Sequence, residues 1–170
     1  MKLVQGISVF ALAASGLMAQ TVTPPPQVAT TGLVGLAQEQ RAQFNVLNLG
    51  SVTSTVQSVC VAVISFLGDD GGVLKTKTAT MAPGQSAFII LDALSDLQLA
   101  VGQRKEIRAM YMVPAVPAPA ATTSPAATST IVFPPVCALI GTLEIIDVLS
   151  DQTHVVLGGM HAVPGSAPLN

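Results

Sequence analysis

Charged side chains are scarce in this 170-residue chain. They make up 9% of the residues, whereas soluble proteins typically carry about 25%. The seven basic residues form no long run, and the net charge is −2. The sequence therefore lacks the positive footprint of a nucleic-acid-binding protein, and nucleic acid is not an expected partner.

Tryptophan is absent, which removes one hallmark of antibody-type domains, and cysteine occurs only twice. An even cysteine count in an exported chain predicts one disulfide, between Cys60 and Cys137. Closing such a loop would stabilise the fold by roughly 4 kcal/mol in the chain-entropy model. The alternative is a pair of buried free thiols.

The first residues, MKLVQGISVFALAASGLMAQ, have the layout of a secretory signal peptide. Lys2 precedes an apolar run from Leu3 to about Ala14, and small residues then lead to Ala19. A membrane anchor is the alternative, but the run is shorter than the roughly 20 apolar residues of a bilayer span. We expect residues 1–19 to be cleaved, leaving a secreted, periplasmic or cell-surface protein without a stable membrane span.

The mature chain divides into a spacer, one domain and a tail. Residues 20–31 contain three successive prolines and are predicted to form a proline-rich spacer. Residues 32–159 show short apolar segments with turn signals about every ten residues, which is typical of an antiparallel sandwich of seven to eight strands. Within them, the Pro/Ala/Thr/Ser-rich residues 114–130 are predicted to be a long flexible loop, and residues 160–170 a disordered tail.

The centre of the domain carries the strongest strand pattern. VCVAVISFL carries apolar residues on both faces of the predicted strand. This pattern suits a central strand covered on both sides or a strand at an interface. After the turn GDDGG, the segment VLKTKTATM places Lys75 and Lys77 on one face, which we expect to be the solvated outer face. Only DALSDLQLAVG leaves room for a helical turn, with an irregular crossover as the alternative.

The segments FNVLNLG, VCVAVISFLGDDGGVLKTKTATMAPGQSA, EIRAMYMVP and VCALIGTLEIID resemble small exported bacterial β-sandwich proteins of unassigned activity. The resemblance implies an all-β, immunoglobulin-like, two-sheet antiparallel sandwich and export. It covers most of the mature chain but consists of strand and turn patterns, so it implies no functional residue.

Catalytic motifs are missing. The two histidines, His154 and His161, accompany no nucleophile elbow, and Ser166 in PGSAP lacks the required glycine spacing. The carboxylates Glu144 and Asp147 are three positions apart and so face opposite sides of a strand. The sequence predicts a protein that is not an enzyme and needs no cofactor.

A metal site is the sharpest chemical alternative. HVVLGGMH offers His154, Met160 and His161, which are ligand types that suit copper in a small periplasmic binding or redox protein. Such a site would also need a thiolate, and the nearest one, Cys137, is assigned to the disulfide.

The leading expectation is an exported, non-enzymatic binding or structural module associated with a cell surface or matrix. Its partner would be a protein or polysaccharide surface, and its low charge and doubly apolar strands favour association with another sheet, including a homo-oligomer.

Overall fold

A computed structural model of the chain describes residues 26–50, 59–115 and 137–161, apart from the side chains of residues 156 and 159–161. The described part is all-β, with nine strands and no helix. The strands are β1 (Gln27–Thr30), β2 (Val34–Ala37), β3 (Gln40–Asn48), β4 (Cys60–Gly68), β5 (Val73–Met81), β6 (Ser86–Asp92), β7 (Arg104–Val113), β8 (Leu139–Asp147) and β9 (Thr153–His161).

The strands form two antiparallel sheets. Sheet I has the order β1-β7-β4-β5, with β2 pairing a different part of β7, and sheet II has the order β6-β3-β8-β9. The predicted antiparallel two-sheet sandwich is confirmed, while its likeness to immunoglobulin domains stays a prediction. Two strands, β1 and β2, were not expected, because each has only four residues and gains its order from β7.

Several predicted boundaries change. β1 lies inside the spacer predicted over residues 20–31, because Gln27–Thr30 pairs with β7. β9 continues to His161, so the first two residues of the predicted tail belong to a strand. The segment DALSDLQLAVG, residues 92–102, forms no helix: after Asp92 it is an irregular crossover between the sheets. The signal peptide, most of the 114–130 loop and residues 162–170 lie outside the described residues.

The core lies between the two sheets, where strand alternation turns one set of side chains inward. In β4 this set is Cys60, Ala62, Ile64 and Phe66, all fully buried. Phe66 meets Phe44 of sheet II edge to face, with ring centroids 6.4 Å apart. β4 is therefore central in its sheet, but the described residues cover only its inner face, since Val61 on the outer face is exposed.

Three links join the sheets at one end of the sandwich, which we call the disulfide end. Cys60 of β4 is bonded to Cys137, just before β8, with their Cα atoms 5.6 Å apart, so the predicted disulfide is confirmed. The buried Tyr111 hydroxyl of β7 donates to the Leu139 carbonyl of β8 at 2.9 Å. The buried Asn48 amide of β3 donates to the Met81 carbonyl of β5 at 3.0 Å.

The orientation predicted for two lysines of β5 is wrong. Lys75 and Lys77 lie opposite Phe66 and Ile64, and residues directly opposite in an antiparallel pair share a face, so both lysines start on the inner face. Further along β5, Ala79 and Met81 have the same parity and are buried. Their burial fixes which way the whole strand faces.

Neither lysine enters the core, because β5 is the edge of its sheet and both ammonium groups reach out past that edge. Lys75 pairs with Asp96 at 2.6 Å. Lys77 donates to the Phe88 carbonyl of β6 at 3.1 Å, and its Nζ lies 5.4 Å from the Phe88 ring centroid. Inward-pointing charges at an edge strand discourage the addition of further strands.

Across the described ranges, no helix has the length and apolar character that a membrane span requires.

Removing the disulfide tests how strongly it stabilises the fold. For the 77-residue separation, the chain-entropy relation gives about 4 kcal/mol, so the double variant Cys60→Ala/Cys137→Ala should lose that much unfolding free energy in urea titrations followed by circular dichroism. Reductant should destabilise the wild-type protein similarly and leave the double variant unchanged. An unchanged double variant would show that the core alone sets the stability.

The Tyr111 hydroxyl offers a second test of the link between sheets. Tyr111→Phe should lose about 1–2 kcal/mol of unfolding free energy, because the Leu139 carbonyl loses a buried hydrogen bond. Thr78→Val, which removes an exposed hydroxyl from β5, should change the same quantity by less than about 0.5 kcal/mol. Equal effects of the two substitutions would contradict the assigned role.

Candidate interaction surface

The outer side of sheet I carries an apolar area, which we call the apolar face. It consists of Val28 of β1, Val61 and Val63 of β4, and Met110 and Met112 of β7. Cross-strand pairs place these residues together, since Met112 lies opposite both Val28 and Val63. Val28 is 49% exposed and Val61 42% exposed, and the other three are half-buried.

The sequence of β4 explains why apolar side chains face outward here. Cys60, Ala62, Ile64 and Phe66 already fill the inner face, so alternation sends Val61 and Val63 to the outer face. Ser65 follows on the outer face and is buried against its neighbours, where its hydroxyl lies 3.0 Å from that of Thr76. Thr78 and Thr80, exposed on β5, border the apolar face on one side.

Charge is segregated along the sandwich. Every charged residue of the chain except Lys2 lies toward one end of the sandwich, which we call the charged end. Lys77, Arg108 and Glu144 are the charged residues of β5, β7 and β8 that lie farthest from that end. The charged end holds the turns at residues 69–72, 93–103 and 148–152. In the described parts of the disulfide end, neither sheet carries a charged residue, and the apolar face spans that half up to Arg108.

Four ion pairs at the charged end engage four of its six basic residues. Oppositely charged atoms approach within 2.6–3.0 Å in four pairs of partly exposed side chains, each of which contributes little by itself. The pairs are Arg41–Asp151, Lys75–Asp96, Arg104–Glu106 and Lys105–Asp69. Arg104 and Lys105 therefore do not form a free basic cluster.

Three carboxyl groups at this end are held in their ionised form. A hydrogen bond from the Lys105 ammonium lowers the pKa of Asp69, and the Ser150 backbone N–H and hydroxyl lower the pKa of Asp147. Burial acts to raise the pKa of Asp96, but hydrogen bonds from the Asp92 backbone N–H and from Lys75 outweigh it and lower this pKa. These three acidic residues therefore stabilise turns or form ion pairs in their ionised state.

The residues considered for catalysis and metal binding do not converge. Glu144 and Asp147 face opposite sides of β8, and Asp70 accepts the Gly72 backbone N–H inside its own turn. His154 is 48% exposed, with Nε2 3.8 Å from the Asp147 carboxylate. Among the described residues, no three His, Cys, Asp or Glu side chains are grouped as metal ligands.

The alternative copper set is spread along one strand. His154 lies near the start of β9, and Met160 and His161 lie at its end, opposite Gly141 and Ile140. Six residues of extended chain separate His154 from Met160 by about 20 Å, which is too far for both to bind one ion. The nearby Cys137 is in the disulfide.

An open groove of about 380 Å³ lies where the edges of the two sheets part, between β5 and β6. Its lining includes Lys75, Lys77, Phe88 and Ile90. Lys77 already contacts the Phe88 ring and carbonyl, and the lining contains no nucleophile–base pair and no carboxylate. The groove is the open side of the sandwich, bridged by lysine side chains.

Sequence reasoning showed that β4 carries apolar residues on both faces but missed the charge segregation. The signal was present, because residues 42–68, 78–91, 109–143 and 152–170 contain no Asp, Glu, Lys or Arg. Only the strand register shows that the described parts of these segments meet at the same end.

No protein-family model matches the chain, and no curated protein matches it. Among solved structures, the chain is similar to the "Crystal Structure of Thermotoga maritima 1070", with 13% sequence identity and a TM-score of 0.44 over 82% of this chain and 97% of that one. A likeness at this level carries no inference about function.

The lowered carboxyl pKa values predict acid sensitivity. A carboxyl whose pKa is lower in the folded than in the unfolded chain contributes stability above about pH 4, and this contribution is lost as pH falls through the folded value. Urea titrations should therefore give a constant unfolding free energy between pH 5 and 7 and a decline below about pH 4.

Asp147→Asn tests one of these carboxyl groups. This variant should be less stable than wild type at pH 7 and decline less steeply below pH 4, since its turn no longer depends on an ionised group. Glu39→Gln is the control, because that exposed carboxylate takes no part in these hydrogen bonds. An Asp147→Asn curve parallel to wild type would contradict the assignment.

Proposed function

We propose that this chain is an exported, non-enzymatic binding or structural module that acts through the apolar face of sheet I. The observation that carries the proposal is the uncharged, partly exposed face centred on Val61 and Val63. Burying such a surface against a partner removes apolar area from water without desolvating a charged side chain.

Two further features support this reading. The Cys60–Cys137 disulfide fits an oxidising compartment, in line with the signal-peptide pattern of residues 1–19. Asp69, Asp147 and the two cysteines serve an ion pair, a turn and the disulfide, as expected of a scaffold. The resemblance to exported bacterial sandwich proteins of unassigned activity is consistent with the same role.

Export is tested by expressing the whole chain in a bacterial host and determining the mass and N-terminal sequence of the periplasmic or secreted product. We expect cleavage near Ala19 and a mass two hydrogens below that of the reduced form. Native mass spectra recorded with copper and zinc should show no stoichiometric metal. A tight one-to-one copper adduct that His154→Ala abolishes would instead favour a metal-binding protein.

Binding is tested by co-sedimentation of the purified protein with bacterial cells and with insoluble polysaccharides, alongside its oligomeric state. Retention or self-association should persist in 1 M salt, where the Debye length is only about 3 Å, because the proposed surface is uncharged. The role would be wrong if the protein remained a monodisperse monomer and sedimented with neither cells nor polysaccharide.

A further inference from the structure

We propose that the partner of the apolar face is the same face of a second copy of this chain, packed sheet on sheet with the two charged ends pointing away from each other. This inference rests on the proposed function, since it names the partner of that surface. It follows from the placement of charge, the available area and the lysines of the neighbouring edge strand.

The charge distribution suits a second copy and disfavours partners that are recognised by charge. A partner recognised by charge would find no complementary group among Val28, Val61, Val63, Met110 and Met112. An anionic lipid surface is usually bound by lysine and arginine, often with aromatic side chains at the interface, and the apolar face contains none of these. Against its own copy, the same face opposes no like charges.

The position of the charged end selects the arrangement. Two faces can stack about a two-fold axis with their strands parallel or antiparallel. The parallel arrangement would bring together two charged ends of equal net sign. In the antiparallel arrangement with the disulfide-end halves overlapping, Arg108 and the charges beyond it project at opposite ends of the dimer.

The adjoining edge strand disfavours sideways growth in place of face-to-face stacking. β5 borders the apolar face, and pairing with another β5 would confront the inward lysines Lys75 and Lys77 with their copies. The β5 edge next to the apolar face is therefore a poor site for edge-to-edge pairing.

The area sets the expected strength. Strands about 4.8 Å apart, each contributing some six residues of about 3.3 Å, give the disulfide-end half of sheet I a footprint of roughly 400 Å². A standard stable interface buries about 800 Å² per partner. We therefore expect a weak, reversible dimer and no obligate dimer.

The test is sedimentation equilibrium on the purified, disulfide-bonded protein over a concentration series from about 1 to 500 µM, with two matched variants. Val61→Lys places a charge on the apolar face, and in the dimer it opposes the copy's own face. Val73→Lys makes the same change at a more accessible valine of sheet I at the charged end, 64% exposed against 42% for Val61. Circular dichroism confirms that both variants keep the fold.

We expect a monomer–dimer equilibrium that is insensitive to salt, a dissociation constant raised at least about tenfold by Val61→Lys, and a change of less than about twofold for Val73→Lys. Thr80→Lys, at the border of the apolar face opposite Val61, provides a second probe and should act in the same direction as Val61→Lys.

A monomer at every concentration overturns the second-copy proposal. If that monomer still sediments with cells or polysaccharide, and Val61→Lys alone weakens this binding, the proposed function stands with a different partner. If it binds nothing, both fail. A dimer that Val61→Lys and Val73→Lys weaken equally, or that high salt dissolves, also overturns the assignment of the apolar face.

Discussion

The packing of the inner face of β4 against sheet II is the constraint on which the rest of this structure depends. Cys60, Ala62, Ile64 and Phe66 are fully buried, and Cys60 is covalently joined to the segment that leads into β8. Once these alternate residues are fixed inward, a slip by a single position would expose all of them, so the register with β5 and β7 is strongly specified. The outward direction of Val61 and Val63 follows from the same constraint.

Charge segregation explains how such a sparsely charged chain can combine turns that need ionised groups with a surface free of them. The carboxylates of Asp69, Asp96 and Asp147 order turns and pair with cations, and all of them lie at the charged end. The opposite end is held by links that need no net charge: a disulfide, a tyrosine hydroxyl and an asparagine amide. The two ends thus have different chemistry within one small core.

The fold class could be predicted because turn residues and strand alternation are local signals. Turns such as GDDGG separate segments whose alternation is evident in the sequence. The disulfide could be predicted because the chain has an even number of cysteines and a signal-peptide pattern that predicts an oxidising compartment. The sequence does not predict β1, because Gln27–Thr30 follows three prolines and is ordered by pairing with β7. β7 lies far along the chain, so no local sequence pattern reveals this pairing.

The facing of Lys75 and Lys77 and the interaction surface depend on pairings between strands. Charge usually marks the solvated side of a strand and so predicts outward lysines, yet the burial of Ala79 and Met81 at the same parity outweighs that preference. The uncharged surface of the disulfide end forms where segments far apart in sequence meet, so no single sequence motif predicts it.

Tyr111 is an intrinsic spectroscopic label located where the two sheets are joined by a hydrogen bond. The chain has one tyrosine and no tryptophan, so near-ultraviolet absorbance and emission arise mainly from a ring that spans the gap between the sheets. A buried phenol donating to a backbone carbonyl absorbs and emits differently from one in water, and its signal therefore follows the separation of the two sheets without any added dye. The same economy of aromatics makes absorbance at 280 nm a weak measure of protein concentration, so quantification should rely on the peptide bond.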